Sequence, residues 1–259
     1  MKKSIFAASA TAGIAVMILF AQTAGAQQAE LRVISSNGIK GALDKLLPEY
    51  EKTSHQHVAI QWGGTAALKR TIEGGGAQFD LAILTPAAID DLTRQGKIVG
   101  ASTALAKANL AVGIRAGSAK ADIGTPDAIK RRLLAAKSIT YSKEGAATPA
   151  IADMVNQLGI ADQLKAKTVF QAVSGRAQES VAQGENELVL APLSEIVTVK
   201  GIEVLGLFPK EFQKPLIMSA GVSAQAANPE AAKALVKFLT SKAAGPAIKA
   251  SGMEMAAGK

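Results

Sequence analysis

An α/β fold with mainly parallel sheets is what this sequence predicts, on three observations. Short β-branched runs alternate with stretches whose apolar residues recur at helical spacing, along nearly the whole chain. Many of the helical stretches open on a start signal. Thr85-Pro86, Thr125-Pro126, Thr148-Pro149 and Asn228-Pro229 each read as an N-cap followed by proline at the first helical position, and Pro192 plays the same part after Ala191. No solenoid-type repeat and no low-complexity linker interrupts the alternation.

The elements follow in order. The first 26 residues are set apart: Met1-Lys2-Lys3 is a basic start, Ile5 to Ala21 is apolar or small, and Ala24-Gly25-Ala26 reads as a cleavage site, so 1–26 is expected to be a secretory signal peptide. "LRVIS" (31–35) precedes a helix over Gly38 to Thr53, in which Ile39, Leu43, Leu46, Leu47 and Tyr50 share a face; Pro48 predicts a kink or an early break there. "VAIQW" (58–62) leads through Gly63-Gly64 into a helix from Thr65 that stops at Gly74-Gly75-Gly76. "DLAIL" (80–84) precedes a helix at Pro86. "NLAVGI", "SITYS", "TVFQAV", "ELVLA", "IEVLGL" and "LIMSAGV" are the later strands, and helices at Pro229 to Thr240 and Ala243 to Ala250 close the chain.

Composition excludes several function classes. The chain has no cysteine, which rules out disulfides, thiolate metal sites, thiol nucleophiles and a lipid anchor on an N-terminal cysteine. Loss of Lys2 and Lys3, with no acid, lowers the net charge from +8 to +6, a balance that favours anionic partners. The lysines are scattered, only Lys130-Arg131-Arg132 forms a run, and aromatics are 4%, so nucleic acid is not an expected partner. No later segment is apolar enough to span a bilayer; a free, monomeric, exported protein without stable membrane insertion is expected.

In open α/β sheets ligands bind beyond the carboxyl ends of the strands. Six strand-to-helix junctions stand there: Ser35 to Gly38, Gly63-Gly64-Thr65, Leu84-Thr85, Ser142 to Thr148, Val173 to Arg176, and Ala191 to Ser194. Each offers a hydroxyl near a helix start, where unpaired N–H groups and the helix dipole favour an anion. Simple helix capping by Ser and Thr accounts for the same residues.

At these junctions the chain resembles a known family. "LRVISSNGIKGALDKLLPEYEK", "VAIQWGGTAALKRTIEGG", "FDLAILTPAAIDDL" and "VAQGENELVLAPLSEI" look like blocks of the periplasmic molybdate-binding proteins, substrate-binding proteins of ABC importers. The resemblance implies a two-lobed type II periplasmic binding protein fold, with lobe one over 27–112 and 216–259 and lobe two over 113–215, and hinge closure on a small anion. It places Ser36 in the first binding loop, Thr65 in the second and Ser194 or its neighbours in the last; Asn37, Gly64 and Thr85 join them as binding candidates by their place in the junctions. It implies an ABC permease as partner, and no cofactor and no metal.

Lys143 and Arg176 add cationic candidates; an Arg176 that reaches the cleft would favour an organic acid over a metal oxyanion. Aconitate isomerase is similar to this family, which keeps a second function open: a cofactor-independent shift of a double bond in a tricarboxylate, with Glu144 or Glu195 as the base. His55 and His57 precede "VAIQW", at the end of the sheet away from the cleft, and are expected in a surface or packing role. Trp62 is expected in the cleft wall or the core, and Met253 to Met255 in packing.

Overall fold

The computed structural model describes residues 30–172 and 175–256, so the expected signal peptide lies outside the described residues. The chain builds two sheets in succession and then returns to the first. It begins with β1 (Leu31–Ser36), a 3-10 turn (Asn37–Ile39), α1 (Lys40–Ser54), β2 (Val58–Gly63), α2 (Thr65–Glu73), β3 (Leu81–Leu84), α3 (Pro86–Arg94) and β4 (Ile98–Ala108). The second sheet follows with β5 (Leu110–Arg115), α4 (Pro126–Ala135), β6 (Ile139–Ser142), α5 (Thr148–Gln157), α6 (Ala161–Lys165), β7 (Thr168–Gln171), α7 (Arg176–Ala182), β8 (Leu188–Pro192), α8 (Leu193–Ile196) and β9 (Ile202–Leu207). β10 (Leu216–Ser223), α9 (Pro229–Leu239), α10 (Gly245–Lys249) and β11 (Glu254–Met255) complete the first.

The strand orders are β11-β4-β10-β3-β1-β2 and β7-β6-β8-β5-β9. Parallel pairing surrounds β1 and β6, and antiparallel strands fill the other half of each sheet. The chain passes from one sheet to the other at Asn109, and Val112 lies inside the second, opposite Leu190 and Gly206.

Helices cover both faces of each sheet, which is why the inner strands are apolar on both sides. In lobe one Val33 of β1 packs with Leu43 and Leu46 of α1, while its neighbour Ile34 packs with Leu68 of α2 and Ile89 of α3. In lobe two Val112 packs with Ile129 and Ile151, and Ala111 with Ala177, Val181 and Ile196. Each fully buried leucine or isoleucine contributes about 1.5–3 kcal/mol. Met253 joins the first core and Met255 pairs with Ala106 across β11 and β4. Asp80 is a polar rivet in lobe one: it is buried and accepts from Arg32 N at 2.8 Å, Ala227 N at 2.7 Å and Asn228 N at 3.4 Å, which ties β1 to the entry of α9.

Local expectations differ from the structure at four places. Helix α1 runs through Pro48 without a break; Pro48 and Asp44, whose carbonyl would otherwise accept from residue 48, both lie on its exposed face. Thr148 is the first residue of α5, not its cap; its hydroxyl donates to Ser142 O at 2.7 Å instead. Pro192 ends β8 and precedes α8 rather than starting it. The 11-residue strand β4 has no counterpart among the runs read from sequence. By contrast Thr125 accepts from Ala128 N and Asn228 from Ala231 N, both as N-caps.

Candidate functional site: the interlobe cleft

Register decides which turns meet. Ser36 lies opposite Gly63, and Ser35 opposite Ile83, so the turns after β1, β2 and β3 open on one edge of the first sheet. Ser142 lies opposite Gln171, and Thr140 opposite Val189, which aligns the turns after β6, β7 and β8 in the same way. The two edges face each other. Gly64 is so near the second lobe that a Cβ on it would stand 2.6 Å from the carbonyl oxygen of Glu144. Arg70 of α2 reaches across to the Glu144 carboxylate at 2.7 and 2.8 Å. Ser194 Oγ donates to Gly38 O at 2.7 Å, and Gly41 in α1 faces the Thr198 methyl.

On the lobe-one side, Gly64 occupies the N-cap position of α2 in extended conformation, and Thr65 is the first helical residue rather than the cap. Thr65 is 7% exposed, and among the described residues its Oγ1 has no hydrogen-bond partner. A buried hydroxyl left unpaired costs about 1–3 kcal/mol. It stands beside N–H groups that the helix itself cannot satisfy and at the positive end of its dipole. Together they form a donor-rich corner suited to an anion. Ser36 is buried at the end of β1 and caps nothing, and Thr85 holds the N-cap position of α3 without a capping bond. Thr85 opens into a cavity of 380 Å³ shared with Ala147, Pro149 and Pro215.

On the lobe-two side, Glu195 sits on the short α8. Its Oε2 accepts from Gln178 Nε2 at 2.7 Å, and its Oε1 lies 3.9 Å from where a Gly38 Cβ would be, in the opposite lobe. Glu195 keeps some open surface, yet protein atoms crowd it densely. Burial pushes its carboxyl up to about 7, and the Gln178 bond offsets only part of that. A cavity of 320 Å³ connects Glu195 and Gln178 with Asn37, Lys40 and Gly175.

Of the two cationic candidates, Arg176 is engaged elsewhere. Arg176 turns along its own helix toward Gln183 and Glu185; that bond to Glu185 holds its guanidinium pKa above the ordinary value. Lys143 is exposed, with its main-chain N–H bonded to Gln171 O at 2.9 Å. Glu144, a candidate base, is the acceptor of the Arg70 bridge. Val173 and Ser174, in the junction before Arg176, lie outside the described residues. His57 is exposed and bonded to Glu51 and Glu30, and His55 is exposed at the end of α1. Trp62 is half-buried against the first core, with Lys40 Nζ 5.0 Å from its ring centre. Among the described residues no cluster of His, Asp or Glu is arranged to hold a metal ion.

Sequence reading missed Gln178 and Arg70, which lie within helices and carry no local signal, whereas Gly38 closes the first junction read from sequence.

Comparison with known proteins places these features in context. The family model of bacterial extracellular solute-binding proteins matches residues 31–254. An aconitate isomerase from a Pseudomonas species is 32% identical over 231 residues, covering 86% of this chain and 87% of that protein. The molybdate-binding protein ModA of Azotobacter vinelandii is 25% identical over 237 residues, 88% of this chain and 90% of that one. Among solved structures, a periplasmic molybdate-binding protein of Azotobacter vinelandii superposes with a TM-score of 0.74 at 21% identity, covering 89% of this chain and 100% of that one.

Proposed function

Because the chain belongs to the family of bacterial extracellular solute-binding proteins, we propose that it captures a small anion between its two lobes and presents it to an ABC permease. The anion is an oxyanion of molybdate type or a small organic acid. The observation that carries this reading is the corner at Gly64 and Thr65. A buried hydroxyl without a partner among the described residues stands at a helix N-terminus beside Gly64, which presses against the opposite lobe, where closure brings it out of water. The ligand shifts the lobes toward the closed arrangement by touching both. Residues 1–26 act as a cleaved leader, and the mature protein works as a monomer in the periplasm, in keeping with the extracellular family. Ser36, Asn37, Gly64, Thr65, Thr85 and Ser194 line the cleft, with Lys143 at its rim. The folded-back Arg176 removes the main argument for an organic acid over an oxyanion.

One observation favours a second reading, a tricarboxylate isomerase like the Pseudomonas relative. An allylic proton shift needs a group that takes a proton from carbon and returns one near neutral pH. Glu195, raised to about 7 at the lobe junction, suits that task better than Glu144, which Arg70 engages.

Thermal melting against molybdate, tungstate, sulfate, citrate, cis-aconitate and trans-aconitate tests the first reading. Stabilisation by at least one of these is expected, and no shift with any of them overturns anion capture. Incubation with cis-aconitate, followed by ultraviolet absorbance, tests the second. A spectrum that stays constant overturns it.

A further inference from the structure

We propose that closure of the two lobes takes up a proton at Glu195, so that capture of the anion is coupled to protonation of the protein. This rests on the anion-capture reading and extends it to the regulation of the same cleft.

Glu195 belongs to lobe two, but its Oε1 looks onto Gly38 in the first turn of lobe one. The adjacent Ser194 hydroxyl bonds the Gly38 carbonyl at 2.7 Å. The carboxyl therefore loses water on one side because the other lobe covers it. When the lobes part, Gly38 withdraws and that side is solvated again.

Among the described residues, the surroundings give an ionised Glu195 no counter-charge. The side-chain hydrogen bond it accepts there comes from a neutral amide, Gln178 Nε2 at 2.7 Å. From α1, Lys40 and Asp44 share its cavity, but they bond each other at 2.7 Å. From α7 comes Glu179, a like charge, while Arg176 is turned to Glu185. The strands packed against α8 bring Arg115 from β5, which leans over Gly184, and Glu203 from β9, which pairs with Lys120 at 3.4 Å. The first 3-10 turn and β8 carry no charged side chain. Burial without a counter-charge favours the neutral acid.

The sign follows from linkage. The carboxyl titrates at about 7 in this arrangement and reverts toward its ordinary 4.5 when water returns. Below the lower value Glu195 is protonated in both arrangements, and above the upper value it is ionised in both. Between them the closed form holds the extra proton. Closure is therefore strongest in acid, weakens by about tenfold per pH unit through that window, and levels off above it.

Isothermal titration of the full chain with molybdate and with citrate, in buffers of different ionisation enthalpy, counts the protons. At about pH 6 the wild type takes up about 0.9 proton more than Glu195→Gln, and at about pH 8.5 the difference vanishes. The variant keeps the shape and mimics the neutral acid, so at about pH 8.5 it binds more tightly than wild type. Melting checks that the variant folds. Subtracting the ligand's own titration from the wild-type count gives the same number without any variant. Binding with equal proton counts in the two proteins overturns the coupling and leaves anion capture standing. No binding of either anion, or of any in the melting panel, overturns both.

Discussion

Replacing Gly64 by alanine puts one methyl group between the lobes. The backbone there, at φ −73° and ψ 143°, accepts any residue, so alanine adds no strain to the separate lobe. The added carbon would stand 2.6 Å from the Glu144 carbonyl oxygen and 3.2 Å from its carbon, both backbone atoms of the opposite lobe that cannot swing aside. Ordinary contact begins at 3.4 Å, so the lobes must separate locally by about 0.8 Å. Overpacking of this kind costs about 1–3 kcal/mol. It falls on the closed arrangement alone, which weakens anion binding about 5- to 150-fold. Trp62, the single tryptophan, lies half-buried two residues earlier and reports closure by its fluorescence during titration with molybdate or citrate. Gly74→Ala is the control: at the far end of the same helix, the nearest atom to its added carbon is 3.4 Å away. Binding within twofold of wild type in a folded Gly64→Ala protein would refute the reasoning. So would an equal loss from Gly74→Ala.

Three further outcomes are expected. Thr65→Val removes an unpaired buried hydroxyl, so urea unfolding should show stability unchanged or raised by about 1 kcal/mol. The same change should weaken the anion about tenfold in titration. Ser194→Ala deletes the donor to Gly38 O and costs about 0.5–1.5 kcal/mol, visible as weaker ligand binding more than as a lower melting temperature, since the bond spans the lobes. Asp80→Asn should cost about 2–3 kcal/mol in urea unfolding. Burial pushes the Asp80 carboxyl up, but main-chain and side-chain donation from Arg32, with Ala227 and Asn228, outweighs it and holds the pKa below the ordinary 3.8. Its stability is present above 3.8 and is lost as pH falls through the depressed value, a part of the acid profile that the variant should lack.

The fold was legible where the chain obeys local rules. "LRVIS" and "DLAIL" carry apolar residues on both faces because helices cover both sides of their sheet, "VAIQW" packs one face as the edge strand, and Thr125 and Asn228 cap because each accepts the N–H three residues on. β4 was not legible: Gly100 to Thr103 carry small or polar side chains with outward surface, and only the pairing with β10 makes that stretch a strand. The early break read from Pro48 does not occur: α1 continues through it, with Pro48 on the exposed face. For the cleft, Thr65 and Ser194 announced themselves as hydroxyls at helix starts. Arg176 did so too, yet its guanidinium found a carboxylate on its own segment. Gln178 was invisible, since its role exists only through the distant Glu195. Sequence position told which residues stand at the edge of a sheet, and side-chain competition decided which of them face the other lobe.

The place of β10 has a consequence for how the molecule is made. This strand, Leu216–Ser223, comes late in the chain yet lies in the middle of the first sheet, bonded to β3 on one side and β4 on the other. The second sheet, in contrast, draws all its strands from Leu110 to Leu207 and is complete before β10 is reached. A growing or threading chain can thus finish its second lobe early, while β3 and β4 wait for a partner that arrives last. Half of the cleft, with Thr65 in it, becomes rigid only after the C-terminal segment is in hand. For a protein expected to carry a secretory leader, that order leaves the Thr65 side of the proposed anion cleft unmade until nearly the whole chain has emerged.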